Sequence, residues 1–263
     1  MFQKELDAMI KYGLEAKEIA LKFYHEAHLE VEVKDDHSPV TKADKTIDKF
    51  LKEKLSHDFP TYAFLTEESQ DDKARLDNDY VFIIDPIDGT KDFIAHDDQF
   101  TINIALAYRH EPVVGVIIIP ARNEYYFASK GEGSFYVDSE GKKTRIHSNS
   151  EKREHLICLT SVFHLNDVEK QLIEKYHHLI DEVRPCGSSI KMCEIARGIA
   201  DISFRISNNT KEWDTCAGQV ILEEAGGALL TLDNKRVLYN REDVYNRGGY
   251  LLLNNKKHFL SID

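Results

Sequence analysis

At 263 residues the chain is long enough to bury a sizeable core, as one large domain or two closely packed ones. Its 42% hydrophobic and 30% charged residues exclude a disordered chain. A net charge of −12 excludes nonspecific binding to nucleic acid, which needs a basic field, so an anionic substrate must be met by local cations or backbone N–H groups.

The longest apolar runs, such as VVGVIIIP (113–120), are too short to span a bilayer, and the opening MFQKELDAMIKYGLE lacks the basic and apolar regions of a signal peptide. The expected location is the cytoplasm, with peripheral association with the inner membrane left open. Cys158, Cys186, Cys193 and Cys216 have no CxxC spacing and read as free thiols in a reducing compartment.

In chain order the helices come first. Leu6, Ile10, Leu14, Leu21 and Tyr24 fall at helical spacing within 3–30, and Ile47, Phe50, Leu51 and Leu55 do so within 42–57. Strands follow at 62–65, 80–84, 101–108, 112–119 and 124–129, predicting a mostly antiparallel sheet behind two helices. After about residue 146 the pattern alternates: strands near 155–161, 182–185 and 200–206, and helices near 166–180, from 188 and from 214. That alternation predicts a second α/β layer. The helix from Asp214 is expected to stop at Gly226-Gly227. The expected division is an α+β half over 1–145 carrying most metal ligands, and an α/β half over 146–263 completing the site and substrate pocket.

The segment VFIIDPIDGTKDFI (81–94) ends an apolar strand in two carboxylates, Asp85 and Asp88, around a proline that is expected to stop the strand ladder. Gly89 and Thr90 then offer backbone N–H groups at the start of a helical turn, an anion cradle. Carboxylates beside such a cradle would repel a phosphate unless a metal lay between them. All the candidate ligands are oxygens, which favours Mg²⁺ or Mn²⁺ over zinc. LTEES (65–69) and Asp214, after the only tryptophan, can join them. With two ions, one would lower the pKa of an attacking water and the other would steady the leaving oxygen. Any one of these aspartates alone is more often a turn former or helix cap; their combination points to a metal site.

The motifs SPVTKAD (38–44), TEES (66–69), DPIDGTKDF (85–93) and WDTCAGQVILEEAGG (213–227) resemble those of the inositol monophosphatase family, over about Val33 to Gly249. Lys91-Asp92, KEWDTCAG (211–218) and GSSIK (187–191) resemble its 3′(2′),5′-bisphosphate nucleotidase branch, the CysQ type. The resemblance implies an α/β (α+β) fold, a layered α/β/α/β/α sandwich. It implies lithium-sensitive, Mg²⁺-dependent hydrolysis of adenosine 3′,5′-bisphosphate to AMP and phosphate, a step that clears a by-product of sulfur metabolism. Two or three Mg²⁺ per site are expected, with Mn²⁺ a possible substitute. The implied metal ligands are Glu67, Asp85, the Ile87 carbonyl, Asp88 and Asp214, with Glu68 in support. Asp44, Thr90 and Glu67 are the implied catalytic residues, Asp44 bonding the threonine and helping to orient or deprotonate the water. Gly89, Thr90, Lys91, Gly187, Ser188 and Asp214 are the implied substrate contacts.

The expected partner is a small phosphorylated nucleotide, with no nucleic-acid polymer and no integral membrane segment, on a monomer or homodimer. The alternatives are an inositol monophosphatase or other sugar phosphatase on the same scaffold, or a non-catalytic nucleotide-binding protein. Inositol enzymes of the family commonly carry a glutamate where this chain has Ser207. HEAH (25–28) reads as a solvated helix face, the SxxK of Ser188 to Lys191 lacks its companion motifs, and 32–37 is a loop or a mobile flap.

Overall fold

A computed structural model describes residues 1–26, 31–33, 39–149, 154–258 and 260. The first half opens with α1 (Gln3–Tyr24), the hairpin β1 (Val31–Val33) and β2 (Pro39–Thr41), and α2 (Lys42–Asp58). It continues through β3 (Ala63–Thr66), a 3-10 helix (Lys73–Asp77), β4 (Tyr80–Asp88), α3 (Thr90–Ala95), β5 (Thr101–Tyr108) and β6 (Glu111–Ile119). Three more strands, β7 (Glu124–Ser129), β8 (Gly133–Val137) and β9 (Lys143–Ile146), complete it. The second half runs β10 (Leu156–Thr160), α4 (Asp167–Lys175), β11 (Ile180–Pro185), α5 (Ile190–Ala196), β12 (Ile202–Arg205), α6 (Glu212–Glu224), β13 (Ala228–Thr231) and β14 (Tyr250–Leu253).

Strands β3 to β9 form a seven-stranded sheet in sequence order, antiparallel except for the parallel β3–β4 pair. The smaller sheet has order β11-β10-β12-β14-β13, with β10, β11 and β12 parallel and β14 antiparallel to both its neighbours. Both faces of each sheet are covered, so strand side chains alternate between two apolar layers instead of between core and water. Phe82 and Ile84 of β4 face Met9, Ala16, Ile47 and Leu51 of α1 and α2. Val81 and Ile83 face the opposite way, in one cluster with Cys216, Ala217, Val220 and Ile221 of α6, Ile195 of α5, and Leu252 of β14. Leu251 and Leu253 point outward onto Leu172 of α4. The layers are therefore α1–α2, large sheet, α5–α6, small sheet and α4: an α/β/α/β/α sandwich.

Helix α2 begins where Thr41 accepts from Ala43 N at 3.2 Å and Asp44 accepts from Thr41 N at 2.8 Å, a reciprocal cap. Helix α6 can lie close against the large sheet because β6 presents Gly115. A Cβ there would sit 2.3 Å from the carbonyl oxygen of Ala217.

Several boundaries differ from expectation. The ladder does not stop at Pro86: β4 continues to Asp88, which pairs with Thr101 after a register shift. The partner strand β3 ends at Thr66 opposite Ile84, so Pro86 lies beyond the β3 ladder, where a missing N–H is tolerated. Helix α1 stops at Tyr24 and α4 at Lys175, each a few residues early. Strand β9 went unassigned because Lys143, Thr144 and Arg145 are exposed on a sheet edge and carry no apolar alternation. Of the 25–28 and 32–37 stretches, residues 27–28 and 34–37 lie outside the described residues. All four cysteines are free and buried, and burial pushes the Cys158 thiol up to about 12. Among the described residues no helix is long and apolar enough to cross a membrane.

The approach at Gly115 gives a direct test of the layered packing. Gly115→Ala should destabilise the protein by about 3 kcal/mol, because the obstructing atom belongs to the backbone and cannot rotate away. Urea unfolding would show this as a fall in midpoint with an unchanged slope.

Candidate active site

The register shift in β4 carries the site. Ile83 and Ile84 are fully committed to the two cores, and the next residue, Asp85, is only 1% exposed. The shift turns the chain so that Asp88 faces the same way, and the Ile87 N–H donates to Asp85 Oδ1 at 3.1 Å. Helix α6 brings the third carboxylate. Asp214 stands in its first turn, and one oxygen accepts from the Lys211 backbone N–H at 2.5 Å. Ligand atoms of Asp85, Asp88 and Asp214 all lie within 4.8 Å of one another.

Asp88 is fixed from two further elements. Ser189 Oγ, at the start of α5, donates to Asp88 Oδ2 at 2.6 Å, and Asn103 Nδ2 of β5 donates to the same oxygen at 3.2 Å. Asn103 also reaches Ser189 Oγ at 2.8 Å. Neither Ser189 nor Asn103 was among the residues expected to act here. GSSIK contained the serine, but nothing in TINIALAY marks the asparagine, which the register of β5 against β4 brings alongside.

Burial and crowding shift every carboxylate of this cluster upward. Asp85 is pushed well above its ordinary value by desolvation, then by the charges of Glu67, Asp88, Asp214 and Asp44. Asp214 is pushed up to about 8 by burial, Asp88 and Glu67. Asp88 is raised by burial against the opposing pull of Ser189, Lys191 and Asn103. Such groups either hold protons or share a cation. An all-oxygen donor set of this charge fits a hard divalent ion, and Glu67, which lines the same cavity, and the Ile87 carbonyl can complete it.

Gly89 follows Asp88 at φ 87°, left-handed backbone that lets α3 start at Thr90 with its first N–H groups free of the strand. A Cβ on Gly89 would come within 3.1 Å of both Asp92 Oδ2 and Ser188 Cβ. Thr90 Oγ1 donates to Asp44 Oδ1 at 3.2 Å and lies 3.3 Å from the Ile87 carbonyl. Asp44 thus uses one oxygen to cap α2 and the other to hold the threonine. Gly187 and Ser188 lead into α5, with Gly187 N donating to Gln99 Oε1 at 2.9 Å.

A cavity of about 470 Å³ opens over the cluster. Glu67, Asp85, Asp88 and Asp214 line it together with Lys91, Lys191, Arg205 and Lys211. The basic side is assembled from several elements: Lys91 from α3 after β4, Lys191 from α5, Lys211 from the cap of α6, and Arg205 from the end of β12 in the small sheet. Beyond β10 comes His164, whose Nε2 lies 3.0 Å from Lys91 Nζ. Burial and the charges of Lys91, Arg205 and Lys191 push its pKa down to about 4, so it is neutral near pH 7. Lys191 Nζ donates to the carbonyls of Cys186 and Ser188, at 2.9 and 2.8 Å. His164, Arg205 and Tyr245 of this lining were not foreseen, and no local motif marks them. Ser207 is absent from the lining; its Oγ accepts from Asn209 N at 3.1 Å within its own turn.

A layered α/β/α/β/α fold with an acidic cluster beside a phosphate-sized cradle is the architecture of a metal-dependent phosphatase. Residues 3–259 match the model of the Inositol monophosphatase family, and the chain belongs to that family. The chain is 31% identical over 230 residues to a 3′(2′),5′-bisphosphate nucleotidase CysQ of Aggregatibacter actinomycetemcomitans, covering 86% of this chain and 84% of the relative. It is 33% identical to inositol monophosphatase 2 of Saccharomyces cerevisiae over 204 residues, 73% of this chain and 68% of that one. The crystal structure of CysQ from Bacteroides thetaiotaomicron superposes with a TM-score of 0.84 at 33% identity, covering 96% of this chain and 98% of that one.

The raised carboxylates predict an opposite pH response with and without cation. Their folded pKa values lie above the unfolded ones, so their contribution to stability is present below about pH 4 and lost as pH rises towards about 8. In EDTA the Tm should fall across that interval, while the increment added by Mg²⁺ should grow. A Tm in EDTA that is flat with pH would mean that burial and neighbouring charge do not raise these groups in the folded chain.

Proposed function

We propose that the protein is a Mg²⁺-dependent 3′(2′),5′-bisphosphate nucleotidase that converts adenosine 3′,5′-bisphosphate to AMP and phosphate. The observation that carries this reading is the pairing, in one cavity, of five carboxylates (Glu67, Asp85, Asp88, Asp92 and Asp214) with Lys91, Lys191, Lys211 and Arg205, the last of which also holds buried Glu169 at 2.8 Å. One phosphate over a metal cluster does not need that many cations; a substrate with a second phosphate does.

Asp85, Asp88, Asp214, Glu67 and the Ile87 carbonyl would hold two or three Mg²⁺, for which Mn²⁺ can substitute. Bound metal would supply Lewis acidity towards the phosphoryl group and its attacking water. The remaining work belongs to the chain. Gly89 and Thr90 N–H groups hold the phosphate that is cleaved. Asp44 fixes the Thr90 hydroxyl, so that the pair orients the attacking water and Asp44 takes its proton. Lys91 and Ser188 border the nucleotide, with Gly187 behind them and off the cavity lining, and the basic wall receives its 5′-phosphate. Neutral His164 offers a hydrogen bond there without adding charge.

Two measurements test this. Phosphate release should be fast from adenosine 3′,5′-bisphosphate, slow from inositol 1-phosphate and fructose 1,6-bisphosphate, abolished by EDTA and inhibited by lithium. Asp85→Asn should lower turnover by about a thousandfold or more, corresponding to several kcal/mol of transition-state stabilisation, in a chain that remains folded. Preference for either sugar phosphate would overturn the substrate assignment and keep the metal reading.

The basic wall has its own signature. Lys91→Met should raise KM for adenosine 3′,5′-bisphosphate about tenfold, about 1.4 kcal/mol, and leave that for adenosine 3′-monophosphate nearly unchanged. Equal losses on both substrates would place Lys91 on the cleaved phosphate instead.

A further inference from the structure

Arg75 is the largest fully buried side chain of the molecule among the described residues, and it lies outside the cavity. Burying a guanidinium is expensive unless every donor is used. Here Nε and Nη2 make a two-pronged contact with Asp71, at 2.7 and 3.0 Å, Nη1 donates to Asn240 Oδ1 at 2.7 Å, and Nη2 also reaches the Arg241 carbonyl at 2.9 Å. Asn240 returns a bond from Nδ2 to the Arg75 carbonyl at 3.0 Å. The result is a rigid tie between the segment that follows Glu67 and the loop at 240–241.

That loop grips the start of α6. Glu212, with no exposed surface, accepts from Asn240 N at 2.6 Å and Arg241 N at 2.8 Å, and from Arg241 Nε at 3.2 Å. Asp214 stands two residues further on in the same turn. Asp214 thus stands at one end of a network that runs through Glu212, Asn240 and Arg241 to Arg75, with a second tie from Lys73 Nζ to the Glu242 carbonyl at 2.9 Å. Glu67, in contrast, is held against β4, where its N–H reaches the Ile84 carbonyl at 3.2 Å.

We propose that Arg75 is a positioning residue that fixes the start of α6, and so where Asp214 stands against Asp85 and Asp88, and through it the affinity for a divalent cation. This rests on the reading of Asp214 as a metal ligand. Removing a group bonded directly to a metal ligand changes affinity by about 10- to 100-fold; Arg75 acts one layer further out, through Asn240, Arg241 and Glu212, so its removal falls at the low end of that range.

The test uses the full chain stripped with EDTA, with Mn²⁺ as the probe in calorimetry, at a temperature where every variant is folded. Asn240→Gly removes the two side-chain bonds between Asn240 and Arg75 and leaves the one to the Arg241 carbonyl, without straining the backbone, since Asn240 sits at φ 55°, where glycine is at ease. Arg75→Met removes the whole contact and Asp214→Asn is the control. Asn240→Gly and Arg75→Met should each weaken Mn²⁺ binding about tenfold. The Mg²⁺ concentration for half-maximal turnover should rise by the same factor, with kcat recovered at saturating Mg²⁺. If Asp214→Asn weakens binding while Asn240→Gly lowers Tm with an unchanged Mn²⁺ affinity, Arg75 is structural only and the inference is wrong. If Asp214→Asn itself binds Mn²⁺ as tightly as the parent, the metal-ligand reading fails and takes this inference with it.

Discussion

The repulsion among Asp85, Asp88 and Asp214 is the constraint around which the molecule is arranged. Each is desolvated, Asp88 and Asp214 raise the proton affinity of Asp85, Asp88 raises that of Asp214, and the Glu67 charge raises all three. The structure holds them in place with neutral donors: the Ile87 and Lys211 backbone N–H groups, the Ser189 hydroxyl and the Asn103 amide. Such donors fix geometry without cancelling charge, which leaves the cluster able to compete for a cation.

Five layers follow from how these groups must be delivered. Asp85 and Asp88 need a central strand of the large sheet, whereas Asp214 needs a helix start facing it. Helix α6 can serve only because it lies between the two sheets, and Gly115 permits that closeness. The register shift at Pro86 matters for the same reason. A strand continuing in strict alternation would place Asp85 and Asp88 on opposite faces of the sheet.

Much of the fold was legible because periodicity reports local burial. The two N-terminal helices, the strands over 101–129 and the later alternation all come from apolar spacing. The carboxylates were legible because DPIDGT is contiguous. What escaped was whatever depends on pairing between distant segments. Asn103 looks like an ordinary strand polar residue until β5 is laid against β4. His164 and Arg205 meet only because β10 and β12 are neighbours in a sheet whose order is not the sequence order. Pro86 misled for a related reason: its effect on a ladder depends on whether a neighbouring strand extends that far, and β3 does not.

The two sheets also divide the labour of the cavity. The groups proposed to hold metal and the cleaved phosphate come chiefly from β4, the turn after it and the α6 start, all packed between large apolar layers. Of the residues facing them, His164 and Arg205 sit at ends of small-sheet strands, where backbone is free to change length and side chain without disturbing either core, whereas Lys91 and Lys211 adjoin the cradle and the Asp214 turn. Exchange of the small sheet's edge would alter His164 and Arg205 alone, and leave Lys91, Lys211 and the acidic centre on the large-sheet side as they are. Relatives named for a nucleotidase and for an inositol phosphatase, at similar identity to one chain, are what such a separation would leave behind.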